Sequence, residues 1–140
     1  EEQFHRILER LARVHQRVRT EIDALPAVRA STREELYRRL HRARDFALAS
    51  LDRPVTLQEM ATAACLSPNH FLRTFRQVFH QSPHQYLTMR RLEYAQRLLR
   101  QSSASVTEIC FLVGFESLGS FSSLFRRHVG VSPQSYRRKR

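Results

Sequence analysis

Asn69, Arg73 and Arg76 stand four and three residues apart in the segment SPNHFLRTFRQVF, residues 67–79. On a helix that spacing gathers them on one side, flanked by His70 and Gln77. Phe71, Phe75, Val78 and Phe79 follow i, i+4, i+7, i+8 on the other side and point to a core. Asparagine matches the edge of adenine, and the two-pronged guanidinium of arginine matches guanine, in the major groove of a duplex. A solvated polar face is the bland reading of the same residues. Their surroundings favour the duplex, because the whole unit is repeated inside a strongly basic segment.

The chain has 140 residues and a formal net charge of +11, and Lys139 is the single lysine among its 24 cations. Residues 1–52 hold 11 arginines and 9 acids, whereas residues 53–140 hold 13 basic residues and 4 acids. The positive field therefore belongs to the C-terminal two-thirds and favours a polyanion, nucleic acid ahead of an anionic membrane. No apolar run reaches the ~18 residues of a spanning helix, so no membrane partner is expected. Cys65 and Cys110 are too few for a four-ligand zinc site or a disulfide framework, and they read as small hydrophobes. His70, His80 and His84 come with no HExxH motif, paired cysteines or glycine-rich phosphate loop. The expectation is a cytoplasmic, non-enzymatic helical chain with no catalytic residue, metal or cofactor. The first residue is Glu1 rather than methionine, which reads as an excised fragment.

Ser67/Ser117, Phe71/Phe121, Phe75/Phe125, Arg76/Arg126, Ser82/Ser132, Pro83/Pro133 and Tyr86/Tyr136 are identical pairs 50 residues apart. Upstream the register becomes 49, as in Glu59/Glu108 and Leu66/Phe115, so one residue is gained in the intervening turn of the second unit. Two copies of one supersecondary unit follow. Each reads as helix–turn–helix, the first at about 56–80 and the second at about 105–129. Thr56-Leu57-Gln58-Glu59 and Ser105-Val106-Thr107-Glu108 are capping boxes. Leu57, Met60, Ala61 and Ala64 in one unit, and Val106, Ile109, Cys110 and Val113 in the other, are placed on inner faces. Gly114 suits a left-handed turn; Cys65 occupies the equivalent position, at a cost of roughly 1 kcal/mol if the geometry is shared.

In the second unit the outer face is Gly119, Ser120, Ser122, Ser123 and Arg126. Glycine and serines permit close approach but discriminate bases weakly, while Arg126, Arg127 and the terminal Arg137, Arg138, Lys139 and Arg140 suit phosphates. Between the units, Ser82-Pro83 starts a linker helix over about 83–101, carrying Arg90, Arg91, Arg97 and Arg100. Some seventeen residues make a strut of ~25 Å, and two recognition helices must sit ~34 Å apart to enter successive major grooves. Upstream, Phe4, Leu11, Val18 and Leu25 recur every seven residues with Ile7 and Val14 between them, interrupted by Glu21. That amphipathic helix, ending before Pro26, reads either as a homodimer seam over residues 4–25 or as a helix packed on its own chain or on an upstream domain. A second helix is expected to open at Ser31-Thr32-Arg33-Glu34-Glu35.

The segment GFESLGSFSSLFRRHVGVSPQSYR, Gly114 to Arg137, resembles the signature of the AraC/XylS family of bacterial transcription regulators. SPNHFLRTFRQVFHQSPHQYL and the linker RRLEYAQRLLR are similar to the same family's DNA-binding domain, the whole resemblance running from about Arg42 to Arg137. It implies an all-α fold: two helix-turn-helix subdomains joined by a linker helix, a seven-helix domain over 31–140, with residues 1–30 as amphipathic helix and connector. Family base-reading positions fall on Asn69, Leu72 and Arg73 in the first lobe and Leu118, Gly119 and Ser123 in the second. With the adjacent His70 and Ser120 these form the expected base-reading set. Phosphate contacts are expected from Thr56, Ser67, Arg76, Arg90, Ser117, Ser122, Arg126 and Arg127. The second lobe departs from the long polar side chains often found in the family. The resemblance also implies sequence-specific binding of promoter or operator double-stranded DNA, an upstream sensing domain and contact with RNA polymerase. A nonspecific architectural DNA-binding protein would use the same charge.

Overall fold

The computed structural model describes residues 2–23 and 30–139, folded as eight helices: α1 (Glu2–Asp23), α2 (Ala30–Leu48), α3 (Leu57–Ala63), α4 (Pro68–Phe79), α5 (Pro83–Gln101), α6 (Val106–Leu112), α7 (Leu118–Val129) and α8 (Pro133–Arg138). Six hydroxyl side chains decide where the last six begin. Thr56, Ser67, Ser82, Ser105, Ser117 and Ser132 each accept a hydrogen bond from the backbone N–H three residues on. Each such cap contributes about 1 kcal/mol. Full capping boxes form at Thr56–Glu59, Ser82–Gln85 and Ser105–Glu108. They matter most for α3 and α6, which at seven residues are far below the length that is stable alone.

Two cores divide the helices. Leu40, Ala43 and Ala47 of α2 meet Met60, Ala61, Phe71, Phe75 and Val78 in the first lobe. Ile109, Cys110, Val113, Phe121 and Phe125 form the second. Helix α5 belongs to both: Tyr86 and Leu87 enter the first core, and Leu92, Ala95 and Leu99 the second. Its nineteen residues make a continuous rod of ~28 Å. The repeat is visible in side-chain geometry. Phe75 meets Tyr86 edge-on at 5.7 Å, and their counterparts Phe125 and Tyr136 do so at 5.6 Å.

The turns inside the units also match. Leu66 N–H donates to the Ala61 carbonyl and Phe115 N–H to that of Cys110, closing the same loop, with positive φ at Cys65 (55°) and Gly114 (92°). The equivalent geometry anticipated for Cys65 is therefore present. A second such pair ends the recognition helices, His80 (φ 59°) capping α4 and Gly130 (φ 92°) capping α7.

Three expectations change. Helix α2 already runs from Ala30, so Ser31 and Thr32 lie within its first turn rather than ahead of it. Leu57 is exposed at the start of α3 rather than inward. The apolar seam of α1 is divided: Phe4, Ile7, Leu8, Leu11 and Val14 are exposed, while Val18 and Ile22 pack against the first core. Leu25 lies outside the described residues. Glu21, which interrupts the seam, accepts hydrogen bonds from the Tyr37 hydroxyl of α2 and from Arg17, and so ties α1 to the lobe. Burial, then the Glu21 carboxylate, pushes the Tyr37 phenol up.

One arginine joins the two lobes. Arg91 of α5 donates to the carbonyls of Leu51 (3.4 Å) and Arg53 (2.9 Å), just past the end of α2. Gly114 packs into the same place: a Cβ there would stand 2.0 Å from the Leu51 oxygen and 2.9 Å from Arg91 Nε. At Gly130, with the same φ, a Cβ would meet nothing within 4 Å. Gly114→Ala therefore combines left-handed strain of about 1–2 kcal/mol with overpacking of about 1–3 kcal/mol, and Gly130→Ala carries the strain alone. Denaturant unfolding should rank Gly114→Ala as clearly the more destabilised; equal losses would show that the Leu51 contact yields at no cost.

Candidate nucleic-acid interface

Phe71 and Phe75 in α4, and Phe121 and Phe125 in α7, are fully buried, which fixes the rotation of both helices. The residues opposite are then Asn69, Arg73, Arg76 and Gln77 on α4, and Gly119, Ser123, Arg126 and Arg127 on α7, all exposed and all 50 apart. The two faces occupy the same register on equivalent helices, one donor-rich and one nearly bare at its N-terminal end.

All eight expected base-reading residues lie in the first two turns of these helices. Asn69, Arg73, Leu118, Gly119, Ser120 and Ser123 are exposed, and His70 and Leu72 are half-buried on the flanks of α4. Leu72 lines a hollow with Leu57, Met60 and Arg76 between α3, α4 and α5. Ser67 and Ser117 accept from His70 N–H (3.3 Å) and Ser120 N–H (3.2 Å), so each hydroxyl proton remains free to donate to a phosphate oxygen. Thr56 stands in the same way at the start of α3, accepting from Glu59 N–H. Ser122 is half-buried on the flank of α7, away from the centre of its outer face.

Two arginines expected at phosphates are engaged within the fold. Arg90 pairs with Glu93 at 2.7 Å and lies 5.0 Å over the Tyr86 ring, on the side of α5 opposite the second core. Arg137 donates to the carbonyls of Leu99, Ser102 and Ala104, closing the end of α5 as Arg91 closes the end of α2. The Arg137 guanidinium answers a carbonyl left unpaired at the C-terminus of α5 and two just beyond it, and Arg91 answers those of the segment after α2. Spacing could not reveal this, because the partners are 33 to 38 residues away.

Carboxylates are kept off the outer faces. Glu59 and Glu108 are held in capping boxes and Glu93 by Arg90, which leaves Glu116 of the four acids in residues 53–140. The Thr56 N–H, then Arg53, holds the Glu59 carboxyl below the usual carboxylate range, so it stays charged. Cys110 is buried, which pushes its thiol up, the reverse of what a nucleophile needs. Among the described residues no group of three His, Cys, Asp or Glu is placed to hold a metal, and no helix is long and apolar enough to cross a membrane.

The helix-turn-helix domain family matches residues 60–139, more than half of the chain. A crystal structure of a transcriptional regulator from Chromobacterium violaceum, described among AraC-type DNA-binding domain-containing proteins, superposes with a TM-score of 0.68 at 30% identity, over 72% of this chain and 90% of that one. This chain belongs to the AraC-type family. Another AraC-type neighbour is the DNA-binding domain of the global transcriptional factor AdpA, solved with a target DNA: TM-score 0.69, 35% identity, 71% of this chain and 90% of that one. Among curated proteins, the transcriptional regulator ArgR of Pseudomonas aeruginosa is 36% identical over 92 residues, 66% of this chain. The melibiose operon regulatory protein of Escherichia coli K12 is 31% identical over 93 residues, also 66% of this chain. The chain spans 28% and 31% of the lengths of these two relatives.

Gly119 is the residue of this AraC-type surface that the fold does not require. A Cβ there would meet only Ser117 Oγ, at 3.8 Å, an ordinary contact. Alanine should therefore stabilise α7 by about 0.5–1 kcal/mol. If the α7 backbone must press against a ligand, the same methyl group weakens binding. Thermal melting and duplex titration of Gly119→Ala should show a rise in Tm with a loss of affinity; a rise in Tm with full affinity rules out close approach at this position.

Proposed function

We propose that the chain is the sequence-specific DNA-binding part of a bacterial transcription regulator, placing α4 and α7 in successive major grooves. The observation that carries this reading is the pair of outer faces in one register, held on a single rod. The first lobe packs on the N-terminal part of α5 and the second on the C-terminal part. The AdpA domain, solved on a target DNA, gives the reading a physical parallel.

The two faces divide the work. Asn69 and Arg73 carry bidentate readers of adenine and guanine, with His70 and Leu72 beside them. Leu118, Gly119, Ser120 and Ser123 bring α7 close to the groove with little discrimination. Ser67, Ser117, Arg76, Arg126 and Arg127 fix the register on phosphates, with Thr56 and Ser122 at the margins. The family's upstream sensing domain and RNA polymerase complete the proposal for the whole regulator.

Selection of bound duplexes from a random library at about 150 mM salt tests the reading, since phosphate binding alone is suppressed as salt rises. The expected product is a site with two elements ~10 bp apart, the stronger one lost in Arg73→Ala at a cost of ~1–3 kcal/mol for that base. Arg126→Ala should weaken all sequences alike and flatten the salt dependence. Tight, salt-sensitive binding without enrichment would instead assign the chain to the architectural binders.

The exposed seam of α1, Phe4 to Val14, is the part of the proposed homodimer interface that its own lobe leaves open. Two heptads are short for a stable pair, so the dimer is expected to be weak and to need the whole exposed stripe. Sedimentation of the chain beside Leu11→Asp checks it: a dimer split by the substitution supports the seam. Monomers in both would remove the second copy and leave the stripe to an upstream domain.

A further inference from the structure

Three arginines of α5 share a face turned away from α7. Arg90, Arg97 and Arg100 fall within roughly 40° of Tyr86 around the helix axis, and the second-core residues Leu92, Ala95 and Leu99 lie on the far side. Helix α7 packs on that far side, through Phe121 and Phe125. With Arg44 of α2 the three arginines line an open groove of about 750 Å³ between α2 and α5, floored by Leu48 and Leu51. Four guanidiniums there face one carboxylate, Glu93.

These guanidiniums are pre-oriented. Arg44 lies 5.6 Å from the centre of the Phe79 ring, Arg90 5.0 Å from Tyr86, Arg97 5.3 Å from Tyr94 and Arg100 5.8 Å from Tyr136. Stacking holds a guanidinium plane in place; Arg90 turns an N–H to Glu93, while at Arg97 and Arg100 the N–H edge faces the groove, the geometry that binds a carboxylate with two parallel hydrogen bonds. An arginine recruited only for solubility needs no ring beneath it. All four that line this groove have one.

We propose that the groove between α2 and α5 is a docking surface for an acidic protein segment that carries both carboxylates and apolar side chains. The carboxylates pair with Arg44, Arg97 and Arg100, and leucine-like side chains cover Leu48 and Leu51. A phosphodiester backbone offers nothing to an apolar floor, and α7, with the duplex it would hold, packs on the other side of the rod. The surface therefore lets the domain hold DNA and an acidic partner at once.

The test uses the intact chain and a fluorescein-labelled peptide of three Glu-Leu-Glu-Glu-Leu repeats, read by anisotropy near physiological salt. Arg97→Ala/Arg100→Ala should weaken the peptide by at least about tenfold, the scale of two lost charge-assisted contacts, while its melting temperature and duplex affinity stay those of the parent. Arg97→Lys/Arg100→Lys, which keeps the charge and loses the stacked planes, should also weaken it, and Glu93→Gln should tighten it. Peptide binding should survive saturation with duplex. Unchanged peptide affinity in the double alanine variant overturns the proposal. So does displacement of the peptide by duplex, a parallel loss of duplex affinity that puts the groove on DNA, or equal binding by a peptide of glutamate alone.

Discussion

The orientation of one lobe on the other rests on a guanidinium placed at the end of a helix. Arg91 reaches from the middle of α5 to the carbonyls of Leu51 and Arg53, and the Gly114 turn of the second lobe closes over the same oxygen. Burial pushes the Arg91 guanidinium pKa down from its ordinary value, though an arginine remains charged throughout the range in which proteins fold. The cost of enclosing that charge is offset by the Leu51 and Arg53 carbonyls of the segment that follows α2. Because one contact involves α2, α5 and the turn before α7, the rotation between the two outer faces is set by the protein before any ligand arrives.

Arg137 repeats the device one unit later, on the carbonyl end of α5. The net positive charge of the C-terminal two-thirds is thus put to three uses. Some arginines close helix ends, some stand on the outer faces of α4 and α7, and a third group stacks on aromatic rings along the back of α5. Composition registers only their sum.

Much of this was legible beforehand for a physical reason. Capping hydroxyls, proline at the first helical position and phenylalanines at helical spacing act over three or four residues, so Thr56, Ser82-Pro83, Phe71 and Phe121 declare their roles locally. The fifty-residue repeat then said that Asn69 and Gly119, or Arg73 and Ser123, occupy matching places. What stayed hidden depends on partners distant in the chain. The three carbonyls around Arg137 are of this kind. Val18 belongs to the same heptad pattern as Leu11, yet only the packing of α1 on α2 separates the buried end of that seam, with Ile22 beside it, from the exposed one. Gly114 was legible as a turn residue, whereas its contact with Leu51 across the lobes was not.

The continuity of α5 sets limits on spacing. A domain whose two lobes hung on a loop could follow a target as its two elements moved apart. Here both cores are built on one unbroken helix and clamped at its midpoint. Each inserted base pair would carry one element ~3.4 Å along the duplex and ~34° around it, and a rod clamped in this way has no joint with which to follow. Phase between the elements, as much as the bases within them, becomes part of what such a body recognises.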